Sequence, residues 1–306
     1  AIPAVLCLTV YRFTIPFALA LAAMFAVAIH YANVASANLE LTRTVFGILR
    51  LSRDGDYVTL IHNTTTHGLH NRSEAKRRIP LGYYHNSGPI GQVFETFGAT
   101  PLFDRVGLVG LGSGALAAYG RPGQEMTFHE IDPAIVRIAE NPNYFTYLSD
   151  SRATHRIILG DGRLTLAQVP DAHYGLIVLD AFSSDSIPIH LITREAIALY
   201  LTKLAPHGLL AFHISNHFLD LAPVLSRNAD ALGLAMLWRK DEFDAKTEKV
   251  MDDQGIYSSN WVLLARDPAD FGTLPNDKKW LRAKSTPDAP LWTDDYSNIL
   301  SVFQWQ

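Results

Sequence analysis

Three observations predict an α/β fold with a parallel sheet, preceded by a small antiparallel β unit and an apolar N-terminal segment. From Arg105 onward, short apolar runs alternate with helical patterns, the signature of βαβ units. Several of those runs end in glycine- and aspartate-rich turns, at the sheet edge where open α/β folds bind their ligands. Ahead of Arg72 the pattern differs, being apolar to about Ala37 and then a series of short alternating runs.

The chain has 306 residues, enough for one large domain or two smaller ones. A net charge of −4 without a long basic run argues against nucleic acid as a partner. The lone Cys7 excludes an internal disulfide framework and a cysteine-based zinc site. The hydrophobic content of 48% is high for a soluble protein, and the excess sits at the N-terminus.

Phe13 to Ile29 contains no charged residue, and the uncharged run continues to Ala37 with His30 inside it. A helix of that length can cross a bilayer core of about 30 Å. Residues 1–10 read as the tail of one membrane helix and about 13–33 as another, so residues 1–38 are predicted to hold the transmembrane segment or segments. Arg43, Arg50 and Arg53 follow this region and only Arg12 precedes it. That bias predicts an inner or plasma membrane location with the remaining chain facing the cytoplasm.

Residues 39–75 are predicted to form the β unit. Val45 to Leu51 and Tyr57 to Ile61 are the strand runs, with Asp54-Gly55-Asp56 as a hairpin signal between them. Residues 76–306 are assigned to the α/β domain. Its predicted strands are Val106–Val109, Met126–His129, His155–Leu159, Leu176–Leu179 and Leu209–Ile214. Trp261–Ala265 follows as a late antiparallel strand. A helical period covers Thr193 to Leu204, and Asp267 to Pro290 reads as a polar surface excursion.

Gly110-Leu111-Gly112-Ser113-Gly114 follows the first strand and precedes an alanine-rich stretch expected to be a helix. Glycines allow close backbone approach to a ligand, and a helix N-terminus offers free N–H donors. Glu130 ends the next strand, where an acidic side chain typically accepts ribose hydroxyls. Gly160-Asp161-Gly162 brings another carboxylate to the same edge, in reach of an adenine amino group. Three successive strand ends with ligand-type residues predict a nucleoside pocket, although each can also be read as an ordinary turn. Ala115 breaks the full dinucleotide spacing, which favours S-adenosylmethionine-type ligands over nicotinamide cofactors. Asp180 and Asp185 follow the fourth strand. They are candidates to hold a cationic amine or take a proton from it; alternatively, Asp180 simply ends the strand and Asp185 caps the next helix.

Taken in order, Gly110 to Gly114, His129-Glu130-Ile131-Asp132, Gly160-Asp161-Gly162 and Asp180…Asp185 resemble the spermidine/spermine synthase family of polyamine aminopropyltransferases. The likeness is to its bacterial branch, in which a membrane segment is fused to a synthase-like domain. It extends to Thr64-Thr65-Thr66-His67-Gly68, Tyr83-Tyr84-His85 and Thr293-Asp294-Asp295-Tyr296-Ser297-Asn298. The resemblance implies a Rossmann-like, S-adenosylmethionine methyltransferase-type domain. The implied co-substrate is S-adenosylmethionine or its decarboxylated form, held by Gly110, Gly112, Ser113, Gly114, Glu130, Asp161 and Gly162. Asp185 and Asp180 are the implied catalytic pair, with Tyr84, His85, Tyr257, Asp294 and Asp295 on the substrate side. A small amine acceptor, a role in polyamine biosynthesis and a homodimer are further implications.

The chain departs from the family pattern at three places. Ser113 stands where synthases usually carry Asp, Asn86 where their Tyr-His/Gln-Glu motif ends in Glu, and the Asp180–Asp185 loop is two residues longer. Each change removes or moves negative charge that would face a diamine. Two other functions therefore stand beside aminopropyl transfer: methyl transfer from intact S-adenosylmethionine, and nucleoside sensing without turnover. His62, His67, His70 and His85 match no usual ligand spacing, so no metal is expected; one or two of them are instead candidates to line the substrate pocket as donors or as a base. His213 and His217 lie at the catalytic edge, where either function or packing would explain them.

Overall fold

The computed structural model describes residues 14–34, 37–181, 188–216, 218–282, 285 and 288–304. The apolar run at 1–10 lies outside them. Thr14–Val34 is helical, and Ile15, Leu19, Phe25 and Val27 stand exposed along it. Among the described residues no helix is long and apolar enough to cross a membrane, so the span expected at 13–33 finds no support there.

The β unit is a four-stranded antiparallel meander of β1 (Ala37–Thr44), β2 (Gly47–Asp54), β3 (Tyr57–His62) and β4 (Thr65–Asn71). The run read as one strand from Val45 turns at Val45-Phe46 instead. Gly47 has φ +142°, and a Cβ there would lie 2.5 Å from His62 Nε2. Phe46 N–H donates to Thr44 Oγ1 at 3.1 Å, closing the turn. Leu49, Leu51, Val58 and Leu60 are fully buried and share one apolar core with a face of the main sheet, each stabilising the packing by about 2 kcal/mol.

The main sheet has eight strands in the order β12-β10-β11-β9-β8-β5-β6-β7. β5 (Arg105–Val109), β6 (Glu125–Glu130), β7 (Thr154–Leu159), β8 (Tyr174–Leu179) and β9 (Leu204–His213) run parallel. β8 is buried along its whole length, as a central parallel strand should be. The predicted strands match these five. β10 (Ala235–Lys240), β11 (Asn260–Ala265) and the short β12 (Leu281–Arg282) extend the sheet antiparallel. This is a Rossmann-like, methyltransferase-type fold with an antiparallel sheet ahead of it.

Two features of the edge escaped the sequence pattern. β10, Ala235-Met236-Leu237-Trp238-Arg239-Lys240, was not assigned, although its first four residues are an apolar run. The 267–290 stretch is more than a surface excursion, because Phe271, Leu274 and Trp280 are buried. Gln92 in the helix Pro89–Phe97 ties it down, accepting from Trp280 Nε1 at 2.6 Å and donating to Asp277 at 3.2 Å.

From β5 the chain proceeds outward through β6 and β7, then returns to β8 on the other side of β5. That reversal makes a crevice beyond the carboxyl ends of β5 and β8.

Candidate active site

At the reversal the glycine loop is wedged between two neighbours. Gly110 N–H donates to His129 O at 2.9 Å, and Asp180 N–H donates to Val109 O at 2.8 Å. Gly110 adopts φ +98°, and a Cβ there would meet the Asp180 carbonyl oxygen at 2.3 Å. Only glycine fits this position. The expected alanine-rich helix is a five-residue 3₁₀ turn, Ala115–Tyr119, entered through left-handed Gly114 and ended by Gly120. The loop therefore lines the crevice with its own backbone, without the N-terminus of a longer helix.

A cavity of about 330 Å³ opens here, a volume suited to a small-molecule ligand. Its described lining brings together seven of the predicted site residues: Tyr84, Gly110, Gly112, Glu130, Asp161, Gly162 and Asp180. Asp185 lies outside the described residues. The β unit contributes Phe46, His62 and His67; the two histidines belong to the group from which one or two were expected in the substrate pocket, whereas Phe46 was not foreseen. They come from separate turns and strands of the meander, so no local spacing announces them.

Glu130 is buried at the end of β6 and accepts backbone N–H groups from Leu111 and Asp132, both at 2.9 Å. A carboxylate has about four lone-pair positions, so acceptor capacity remains for a ligand hydroxyl. Burial pushes the Glu130 carboxyl above its ordinary range, against the pull of those N–H donors. Where Glu130 holds a ribose, as the resemblance implies, nucleoside affinity should fall on acidification at a pH where an exposed glutamate would still be ionised. Calorimetry across pH checks this, and Glu130→Gln should flatten the dependence as well as weaken binding.

Asp161 caps the helix Gly162–Ala167 by accepting Leu164 N–H at 3.0 Å, and its other oxygen contacts His190 Nε2 at 2.8 Å. Burial opposes its ionisation, but the Leu164 N–H and His190 outweigh that and hold the carboxyl below the ordinary range. His129, in the lining, contacts Thr165 Oγ1 through Nδ1 at 2.9 Å, and burial lowers its pKa to about 4.

Asp180 follows β8 directly. Tyr84 O–H donates to its Oδ2 at 2.7 Å, and His213 Nδ1 meets its Oδ1 at 2.7 Å. Burial, and then the charge of Asp180, push the Tyr84 phenol well above its ordinary value, so it remains a donor at any physiological pH. His213 ends β9 and is stacked on Trp261, ring centroids 4.6 Å apart. Its position at a parallel strand's carboxyl end was the available signal, and tertiary contact with Asp180 gives it meaning.

The remaining predicted residues sit away from the described lining. Ser113 is buried against Gly68, and Gly114 packs against Leu148. His85 is buried and contacts Ser87 Oγ at 2.9 Å. Tyr257 packs edge-on to Tyr83 at 5.4 Å, and Tyr83 in turn lies 5.3 Å from the His213 ring.

Asp295 is exposed, while Asp294 is a clamp. Arg163 holds Asp294 through two bonds of 2.7 and 2.6 Å, and Thr193 Oγ1 donates to it at 2.8 Å. Arg163 and Thr193 lower the Asp294 pKa to about 2. The folded value lies below the unfolded one, so this contribution is present at neutral pH and lost as pH falls from about 4 to about 2. With Asp294 side chain 40% exposed, solvent screening limits it to about 1 kcal/mol. Asp294→Ala should lower stability to urea by that much near neutrality, and the difference should shrink on acidification. Among the described residues no group of three or more His, Cys, Asp or Glu is arranged to hold a metal ion.

No protein-family model matches the chain. Over 100 residues it is 39% identical to a polyamine aminopropyltransferase of Vibrio vulnificus, a stretch that is 31% of this chain and 32% of that protein. The chain thus aligns with about a third of the length of this curated relative. Among solved structures it is similar to a probable spermidine synthase from Corynebacterium glutamicum, with a TM-score of 0.55 and 15% identity over 86% of this chain and 97% of that one. It is also similar to the spermidine synthase of Thermotoga maritima, with a TM-score of 0.52 and 12% identity over 88% and 84% of the two chains. These structural likenesses establish the shared fold. In sequence and in fold, the chain resembles the polyamine aminopropyltransferases.

Proposed function

From that likeness we propose that the chain is a spermidine synthase-like transferase, moving an aminopropyl-type group from decarboxylated S-adenosylmethionine to a small amine. The observation that carries the reading is one cavity with two chemistries. Glu130 and Asp161 line it as nucleoside-type acceptors, and Asp180, backed by Tyr84, lines it as an amine-type anion. Either function alone would leave one of these sets without a task.

The amine nitrogen attacks the methylene carbon bonded to the sulfonium sulfur. The new C–N bond forms as the C–S bond breaks, and the sulfur keeps the electron pair in neutral methylthioadenosine. The amine attacks only when neutral, so one proton must pass to a base within hydrogen-bond reach. Asp180 and Asp185 are assigned to hold the amine, with Asp185 as the base. The chemistry requires no metal. Methyl transfer from intact S-adenosylmethionine is the second reading. It is favoured by Ser113, whose neutral hydroxyl stands where an aminopropyltransferase usually has Asp to grip the donor's free amino group.

Incubating the chain with either nucleoside and a panel of amines, followed by mass spectrometry, tests the proposal. Methylthioadenosine accompanied by an aminopropylated amine supports it, whereas S-adenosylhomocysteine moves the assignment to methyl transfer. Tight nucleoside binding without product moves it to a sensor. We further propose that the helix Thr14–Val34 attaches the α/β domain to the cytoplasmic face of the inner or plasma membrane. Its exposed Ile15, Leu19, Phe25 and Val27 support this. Recovery of the full chain in the soluble fraction without detergent would remove that assignment. A homodimer remains part of the proposal through the family likeness, and equilibrium sedimentation tests it.

A further inference from the structure

The structure points to a role for a buried histidine that the transfer chemistry does not itself call for. We propose that His213 is a positioning residue, held by Ser215 in the Nδ1-protonated form so that it fixes the Asp180 carboxylate toward the acceptor amine. The inference rests on the aminopropyl-transfer reading for its rate consequences, but not for its geometry.

An ionised carboxylate only accepts hydrogen bonds, so the 2.7 Å contact between Asp180 Oδ1 and His213 Nδ1 requires the hydrogen on Nδ1. Nε2 then offers a lone pair to Ser215 Oγ, 2.7 Å away. Ser215 Oγ already accepts Asn260 N–H at 2.8 Å, which leaves its own hydrogen for the imidazole. The order Asn260 N–H to Ser215, Ser215 O–H to His213, and His213 N–H to Asp180 is self-consistent at every step.

The ring cannot turn readily. It is almost parallel to Trp261, at 16°, and the β9–β11 register pairs these two residues directly. Its side chain is only 4% exposed. Tyr84 O–H grips the second oxygen of Asp180 at 2.7 Å. Two donors from separate parts of the chain thus set the plane of the carboxylate, and its remaining lone pairs are left for a cavity ligand. Misplacing a reacting group by about 1 Å costs on the order of 100-fold in rate, so the arrangement has a kinetic signature.

Heteronuclear ¹⁵N spectra of the wild-type chain should show the His213 hydrogen on Nδ1, and Asp180→Asn should perturb that nitrogen most among the histidines. In transfer assays, His213→Ala should lower kcat about 10- to 100-fold with an unchanged KM for the nucleoside. His213→Gln, which keeps a donor, should recover most of the rate. In an Asp180→Asn background, His213→Ala should cost little more. A hydrogen on Nε2, an unchanged kcat in folded His213→Ala, or full additivity with Asp180→Asn would overturn the proposal. If the wild-type chain transfers nothing to any amine, the functional reading fails, and the spectra still decide the His213 assignment.

Discussion

An Asp180→Asn chain is expected to bind methylthioadenosine as the parent does, yet to transfer the aminopropyl-type group about 10²- to 10⁴-fold more slowly. Asn keeps the shape and loses the charge that would hold an ammonium group or accept its proton. The fold should survive, because Asp180 lies at a strand end and its backbone bond to Val109 is untouched. Binding is read by calorimetry and transfer by mass spectrometry. A full transfer rate in the variant would mean that the reaction does not need this carboxylate. A parallel loss of nucleoside binding would mean that Asp180 serves the donor and not the acceptor.

The second large effect is expected from Gly110→Ala. The new methyl would combine an unfavourable positive φ with a 2.3 Å approach to the Asp180 carbonyl. Together these should cost roughly 3 kcal/mol, lowering the melting temperature by about 5–10 °C. Because the displaced atom belongs to Asp180, transfer should fall more than the stability loss alone explains. Gly123→Ala is the control. Gly123 also has a positive φ of +82°, but a Cβ there meets nothing within 4 Å. Equal melting temperatures for the two variants would refute the close-approach argument.

These two variants probe a contact that the sequence announces only in part. The order of strand, glycine loop, Glu130 and Asp161 was legible because each piece is local. A buried parallel strand is a short apolar run, and the ligand-type residue sits one or two positions beyond it. The five parallel strands were found on that basis, and so was the late antiparallel strand at Trp261. The short helix after Gly114 was not, because the alanines favour a helix and Gly120 stops it after five residues. Asp294 and Asp295 read as pocket residues from their motif, while Arg163 claims Asp294 for holding the C-terminal segment against the helix Gly162–Ala167. His85 follows the same logic, since the Tyr84-His85 pair turns one side chain into the cavity and buries the other.

The strand-and-turn grammar of the α/β sheet, the acceptor residues at its edge and the carboxylate that follows its fourth strand are all written locally in the chain. Hydrophobic periodicity and turn chemistry act over a few residues and can be read without the fold. The surroundings of Asp180 emerge only in the folded chain. Tyr84 lies 96 residues before it and His213 33 residues after it. Both reach its carboxylate only once β5, β8 and β9 are side by side and the β unit has packed on their common core. No local rule encodes a contact whose two ends are brought together by the burial of a whole sheet.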